Sequence, residues 1–181
     1  MRWKWKSFFE KEWFGSMEGN PKRKLSLDTN VLLEIADAAD VALDFLEVFR
    51  ARGYELLIAP RVVAELRWLE RYGAPSEKRL CSVVFSKMRD WSIKPFDLSE
   101  IARSIAVRFA ESLILRALLP ERELGDARIL AETAVAGIAV LTTFDRHLLD
   151  IEEDALRLAL EDADLTVVVV AHPKRLLRAI R

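Results

Sequence analysis

Residues 24–36 read KLSLDTNVLLEIA, and this stretch carries the strongest signal for the fold. Its first part, residues 24–29, has the apolar content and the length of a short buried strand. The apolar residues that follow, Leu32, Leu33, Ile35 and Ala36, are spaced as in a helix. A strand that passes directly into a helix is the beginning of a β-α-β unit.

The same alternation continues along the chain. Gly53 ends the second helical segment, and Pro60 opens the next helix. Apolar runs predict further strands at residues 54–59, 92–96, 138–143 and 165–171, and helical patterns occupy residues 77–90, 99–119 and 126–136. Strands that alternate with helices predict an α/β domain, built as a three-layer α/β/α sandwich with a mostly parallel five-stranded sheet.

The composition favours one folded domain without a membrane span. The chain has 181 residues, of which 51% are hydrophobic, enough for one buried core. The longest apolar stretch near the C-terminus, residues 165–171, is far shorter than the roughly 20 residues that cross a bilayer. Cys81 is the single cysteine, which excludes an intrachain disulfide and is typical of a reducing compartment. We therefore predict a cytoplasmic protein.

Two compositional biases bear on habitat and on partners. The chain has no Gln and two Asn, while 31% of it is charged, a composition typical of thermophilic proteins. The net charge is −1, and residues 1–24 hold seven Lys or Arg against three Glu. Because the remainder is mildly acidic, binding of a nucleic acid would require a local basic patch or a bridging metal ion.

The N-terminal segment, residues 1–23, differs from the domain predicted at residues 24–181, and the boundary lies near Gly19-Asn20-Pro21. It interleaves Lys4, Lys6 and Lys11 with Trp3, Trp5, Phe8, Phe9, Trp13 and Phe14. Such residues could stack on bases and pair with phosphates. An amphipathic helix that packs on the domain or on a second copy explains the same pattern. Met17 offers an alternative start just before the boundary.

Four acidic residues are predicted to meet at one edge of the sheet, where the carboxyl ends of parallel strands collect. They are Asp28 after the first strand, Glu65 in the opening turns of the helix begun by Pro60, Asp126 at a helix start and Asp145 after the fourth strand. Singly, each has an ordinary explanation as a helix cap or a solvated residue. Together they repel, by roughly 3 kcal/mol for two carboxylates about 6 Å apart at an effective dielectric of about 20. A cation is therefore expected, and oxygen ligands without paired Cys or His favour Mg²⁺ or Mn²⁺ over zinc.

Four segments around these acids carry a family resemblance. They are LDTNVLL at residues 27–33, VVAEL at 62–66, GDARILAETA at 125–134 and LTTFD at 141–145. In order and spacing they resemble the four successive motifs of PIN domains, and most closely the VapC-type toxins of toxin–antitoxin modules. The resemblance spans residues 24–171. It implies a PIN-like fold and a metal-dependent endoribonuclease that acts on RNA, usually as a homodimer, often silenced by a small antitoxin that inserts a segment into the active-site groove.

The resemblance also implies a role for each matching residue. Asp28, Asp126 and Asp145 would bind Mg²⁺ or Mn²⁺, and Glu65 would be a direct ligand or one that acts through water. Thr29, Asn30 and Thr143 neighbour these acids and could orient them by hydrogen bonds, although turn and capping roles explain the same residue types. Arg128 and Arg146 could hold phosphates, or could be ordinary surface arginines. His147 is left outside the catalytic set, as a surface or supporting residue.

Other classes of protein fit less well. A haloacid-dehalogenase-type phosphatase requires a second Asp two residues after the first, and Asn30 stands at that position. A response-regulator receiver requires an acid pair before its phospho-acceptor and a Lys after a late strand, and neither is found in register. Two alternatives to a toxin stay open. One is a housekeeping RNA-processing nuclease, and the other is a catalytically silent RNA- or protein-binding module with the same fold.

Overall fold

The computed structural model describes residues 23–180, so the aromatic extension lies outside the described residues except for Arg23. Within that range, five short strands alternate with helices. The strands are β1 (Lys24–Leu27), β2 (Glu55–Ile58), β3 (Ile93–Pro95), β4 (Val140–Thr142) and β5 (Val169–Ala171). The helices are α1 (Thr29–Ala36), α2 (Asp40–Ala51), α3 (Pro60–Tyr72), α4 (Pro75–Lys87), α5 (Glu100–Leu115), α6 (Leu124–Val135), α7 (Arg146–Leu149), α8 (Glu153–Asp162) and α9 (Pro173–Ala179).

The strands form one sheet in the order β3-β2-β1-β4-β5, and every neighbouring pair is parallel. In the centre of the sheet, Leu27 of β1 is in register with Ile58 of β2 and with Thr142 of β4. The carboxyl ends of these strands therefore lie side by side. The predicted parallel five-stranded sheet is confirmed, and it is parallel throughout.

Helices cover both faces of this sheet. Consecutive residues of a strand point to opposite faces, yet Leu25, Ser26 and Leu27 are all completely buried. The predicted three-layer α/β/α sandwich is therefore confirmed. Among the helices, α6 packs against both α3 and α5, and it also contacts β4. None of the helices within residues 23–180 has the length and the apolar content to cross a membrane.

The ends of several elements follow from single residues. Pro60 and Pro75 occupy the opening turns of α3 and α4, where a missing N–H costs nothing. Ser99 caps α5, since its hydroxyl accepts a hydrogen bond from the N–H of Ala102 at 3.2 Å. Gly53 follows α2 with a φ of +78°, a conformation that glycine adopts without strain.

Some predicted boundaries were wrong. The helix predicted at residues 99–119 ends at Leu115, because Ala117 adopts a positive φ of 57° and the N–H of Leu118 turns back to the carbonyl of Leu113 at 2.9 Å. The helix predicted at 126–136 begins at Leu124, after a 3₁₀ turn at Glu121–Glu123. Strand β1 ends at Leu27 rather than at residue 29, because the next residue already caps α1. Strand β5 occupies 169–171 rather than 165–171.

Candidate active site

The candidate site lies at the carboxyl edge of the sheet, between β1 and β4. The strands β2 and β3 lie on one side of β1, while β4 and β5 lie on its other side, so the strand order reverses here. In open α/β sheets such a switch point leaves a crevice in which ligands bind. Asp28 follows β1 and Thr143 follows β4, and the Thr143 hydroxyl donates a 2.6 Å hydrogen bond to Asp28 Oδ2.

Asp28 is a buried carboxylate, only 2% exposed, that is held by hydrogen bonds. Its Oδ1 accepts a bond from the N–H of Thr29 at 2.7 Å, which makes it the N-cap of α1. Its Oδ2 accepts a second bond from the side-chain amide of Asn30 at 2.8 Å, in addition to the bond from Thr143. Both oxygens are therefore oriented by residues that the sequence marked as supporting.

Thr29 connects Asp28 to Glu65. The backbone N–H of Thr29 binds Asp28, and its hydroxyl donates a 2.7 Å hydrogen bond to Glu65 Oε2. Because Pro60 starts α3 at the same edge of the sheet, Glu65 faces α1 from the second turn of α3 and is half-buried. Carboxylates from two separate sequence motifs thus bond to one threonine.

Thr143 makes the corresponding connection to Asp145. Its Oγ1 accepts a hydrogen bond from the N–H of Asp145 at 2.8 Å. Asp145 in turn caps α7, because its Oδ1 accepts the N–H of His147 at 2.6 Å. The side-chain carbonyl of Asn30 accepts the N–H of Phe144 at 3.0 Å, which ties the loop after β4 to α1. Asp28, Glu65 and Asp145 therefore belong to one continuous hydrogen-bond network.

Asp126, in the first turn of α6, joins these acids through its charge. Burial raises its pKa to about 8, and the negative charges of Asp28, Asp145, Glu123 and Glu65 add to that rise. Burial also raises the pKa of Asp28 to about 6; its hydrogen bonds oppose this rise, and Glu65 and Asp145 add to it. The four predicted acids thus lie near enough to repel one another.

The donor set fits a hard divalent cation. All four side chains are carboxylates, whose oxygens suit Mg²⁺ or Mn²⁺, and a cation would relieve the repulsion that adds to the rise in the pKa values of Asp28 and Asp126 caused by burial. Within the described residues, no three Asp, Glu, His or Cys side chains stand in a ready coordination group. Ligand oxygens lie about 2.0–2.6 Å from such ions, so binding would require the carboxylates to rotate towards the ion.

The remaining predicted residues lie around this centre. Arg128 is half-buried on α6, while Arg146 and His147 are exposed on α7. The Nε2 atom of His147 lies 3.4 Å from Glu123 Oε1 and 3.4 Å from a guanidinium nitrogen of Arg122. His147 therefore belongs to a surface cluster that links α7 to the turn before α6.

Two residues on the flank of the site, Arg61 and Glu132, were not predicted from the sequence. Glu132 is 5% exposed on α6, and its Oε2 accepts a 2.8 Å hydrogen bond from the backbone N–H of Arg61, the second residue of α3. Glu132 interrupts the apolar stretch at residues 129–135, ILAETAV. That interruption was the available signal, because a buried acid requires partners.

Comparison with known proteins adds information about the fold. No family model matches the chain, and no curated protein matches it by sequence. Among solved structures, VapBC2 from Rickettsia felis bound to a DNA fragment from its promoter is 15% identical with a TM-score of 0.59, over 82% of this chain and 98% of that chain. FitAB bound to a DNA fragment named IR36 is 18% identical with a TM-score of 0.52, over 82% of this chain and 94% of that chain. These likenesses show a PIN-like α/β/α fold.

Proposed function

We propose that this chain is a metal-dependent endoribonuclease of the PIN kind, and the toxin of a toxin–antitoxin pair in the cytoplasm. One observation carries the proposal: a buried Asp28 at the switch point of a parallel sheet is bonded through Thr29 to Glu65 and through Thr143 to Asp145. A protein that needed only a helix cap at residue 28 has no reason to gather mutually repelling acids there.

In this proposal Asp28, Asp126 and Asp145 hold Mg²⁺ or Mn²⁺, and Glu65 binds it directly or through a water molecule. When bound, such an ion activates water and neutralises charge that builds up on the attacked phosphate. Hydrogen bonds from Thr29, Asn30 and Thr143 hold Asp28 and Glu65 at this edge of the sheet, where a shared ion would draw the four carboxylates together. In-line attack by water on a phosphodiester would leave a 5′-phosphate and a 3′-hydroxyl.

The proposed partners are an antitoxin and a second copy of the chain. VapBC2 and FitAB, which share the fold, are both complexes bound to DNA, and this supports a small DNA-binding antitoxin for the present chain. A homodimer is also expected. The apolar side chains of Ile101, Ile105 and Leu115 are exposed on α5 and offer a surface for it. A neighbouring reading frame with a DNA-binding head and an amphipathic tail would favour the toxin over a housekeeping RNA-processing enzyme.

Cleavage of RNA by the metal-stripped protein tests the proposal. We expect no cutting of single-stranded RNA in EDTA, and recovery of cutting when Mg²⁺ or Mn²⁺ is added. Product ends are then identified with a phosphate-dependent exonuclease and with a ligase that requires a 3′-hydroxyl. A 2′,3′-cyclic phosphate product would contradict the mechanism, because it requires attack by the ribose 2′-hydroxyl. RNA binding without any cutting under these conditions would favour the silent binding module.

A further inference from the structure

The buried carboxylate of Glu132, on the flank of the candidate site, lies near arginines from three helices. Burial raises the pKa of Glu132, and this rise is opposed by the backbone hydrogen bond from Arg61 and by the positive charges of Arg128, Arg61 and Arg103. These arginines lie on α6, α3 and α5 respectively. Glu132 therefore lies near three arginines, on the helix that also carries Asp126.

The arginines differ in whether their guanidinium groups already bond to a carboxylate. Arg103 donates to Asp97 Oδ1 at 2.5 Å, so its guanidinium is engaged on the surface. Within residues 23–180, by contrast, the guanidinium groups of Arg61 and Arg128 form no salt bridge with any carboxylate, and the buried Nε of Arg61 has no hydrogen-bond acceptor. A buried arginine donor without an acceptor is uncommon in folded proteins, and a ligand or an ordered water would satisfy the Nε of Arg61.

Arg61 is also held in a defined place beside the acids. A Cβ atom added at Gly125 would lie 3.3 Å from Nη2 of Arg61, so the guanidinium packs against the residue that precedes Asp126. Arg61 and Glu65 are four residues apart on α3 and therefore share one face of that helix. The guanidinium of Arg61 therefore packs on α6 at Gly125, the residue before Asp126, and its own helix carries Glu65.

Charge explains why such a group is needed. RNA is a polyanion, and a cluster of four carboxylates repels it wherever a bound cation does not compensate. An arginine fork matches the oxygens of a phosphate and can bind two of them at once. We propose that Arg61, with Arg128 beside it, binds an RNA phosphate next to the one that is cut, and that Glu132 positions Arg61 for this. The inference rests on the proposed nuclease function.

The test measures RNA affinity in the Asp28→Asn protein in Mg²⁺, so that cutting does not interfere. The probe is a fluorescein-labelled random-sequence RNA pool of about 12 nucleotides, followed by anisotropy over a range of KCl concentrations. Adding Arg61→Ala should weaken binding by about 10-fold or more, and should reduce the salt slope of log affinity by about 0.7 for one lost phosphate contact. Arg67→Ala is the matched control, since Arg67 is exposed on the same helix, and it should change neither quantity appreciably.

A second variant separates binding from folding. The hydrogen bond to Glu132 comes from the backbone of Arg61, so side-chain substitution leaves it in place. In the otherwise wild-type protein, Arg61→Lys keeps the charge but loses the fork, and should raise KM for RNA cleavage with little change in kcat. Unchanged affinity, salt slope and KM in these variants would overturn the inference while wild-type cleavage upheld the function. Absence of both RNA binding and cleavage in the wild type would instead refute the function, and the inference with it.

Discussion

Asp28 and Glu132 are two carboxylates buried to almost the same degree in one chain, yet their surroundings have opposite charge. Around Glu132 the charged neighbours are arginines, and their positive charges oppose the rise in its pKa that burial causes. Around Asp28 the charged neighbours are Glu65 and Asp145, which add to the rise. Charges within the chain thus compensate Glu132, whereas the charges around Asp28 add to the cost of ionising it.

We propose that this difference separates an acid with a structural role from an acid that binds a ligand. Desolvation alone would raise both pKa values, so burial does not identify a functional residue. The sign of the neighbouring charge is the more informative criterion for a functional acid, at an edge of the sheet where ligands are expected. The predictions below test whether the two acids differ in this way.

The largest effect is expected for Asp28→Asn. The amide is a poor ligand for a hard cation, so cleavage of RNA in Mg²⁺ should fall by at least about 100-fold. Thermal unfolding gives an independent measure: saturating Mg²⁺ at about 100 times its Kd should stabilise the wild type by about 3 kcal/mol through linkage, and Asp28→Asn much less. Glu132→Gln should keep the full stabilisation by Mg²⁺. If it lost the stabilisation as Asp28→Asn does, the proposed contrast between the two acids would be wrong.

The second prediction concerns pH in the absence of a divalent cation. The folded-state pKa values of about 6 for Asp28 and about 8 for Asp126 lie above the ordinary value of 3.8. Over that interval the folded state holds more protons than the unfolded state, so the free energy of unfolding falls as pH rises. For Asp28 the loss between pH 4 and pH 8 is on the order of 3 kcal/mol. Added Mg²⁺ should reduce or reverse the fall, because it binds the deprotonated acids.

Urea denaturation in EDTA across this pH range provides the measurement. Other carboxylates contribute to the same curve, so the informative quantity is the difference between the wild type and Asp28→Asn. Asp28→Asn should gain stability relative to the wild type as pH rises through about 6, the folded-state pKa of Asp28, because the amide does not ionise. Parallel curves for the two proteins would mean that ionised Asp28 is tolerated without a cation.

The third prediction uses two neighbouring threonines of the same buried edge. Thr143 donates to Asp28 and accepts from Asp145 and Asn30, whereas the buried hydroxyl of Thr142 has no partner within the described residues. Thr143→Val should therefore lower the free energy of unfolding by about 2 kcal/mol and lower activity by about 10- to 100-fold. Thr142→Val should be neutral or stabilising. Equal effects of the two substitutions in urea denaturation would show that the network around Asp28 does not orient it.

The two sides of the comparison were unequally predictable from the sequence. Asp28 and Asp145 could be predicted because parallel strands end at one edge, which places any acid that directly follows a strand there. Glu65 and Asp126 were predicted from their places near the starts of helices. Arg61 and Glu132 were not found, since their contact joins residues 71 apart. The apolar stretch around Glu132 marks it as a buried acid but does not indicate its partner. Their meeting depends on the packing of α3 on α6, which no local pattern specifies.

The helices that follow β4 were not predicted from the sequence either, and the reasons differ. In helix α8, leucines occupy every second position from Leu156 to Leu160, a spacing typical of a strand. Leu156 and Leu160 are buried, and Leu158 is exposed. The cap of α8 is Glu152, a residue type that is not among the preferred helix caps. Helix α7 has only four residues and depends on Asp145 as its cap. Helix α7 is thus too short for a periodic pattern, whereas α8 has one, with Leu156, Ala159 and Leu160 on its buried face, and the alternating leucines obscured it.

The smallest effect on stability is expected for Gly125→Ala, which tests the place assigned to Arg61. The added Cβ would lie 3.3 Å from Nη2 of Arg61, close enough to displace a flexible guanidinium by a few tenths of an ångström. Alanine is the better helix former by up to about 1 kcal/mol, so stability should change by less than that in either direction. RNA affinity, measured as above in the Asp28→Asn protein, should nevertheless fall several-fold. A double-mutant cycle with Arg61→Ala decides the cause: once Arg61 is absent, Gly125→Ala should have no further effect on affinity. If Gly125→Ala weakened RNA binding equally with and without Arg61, the loss would come from α6 itself rather than from the arginine that packs on it.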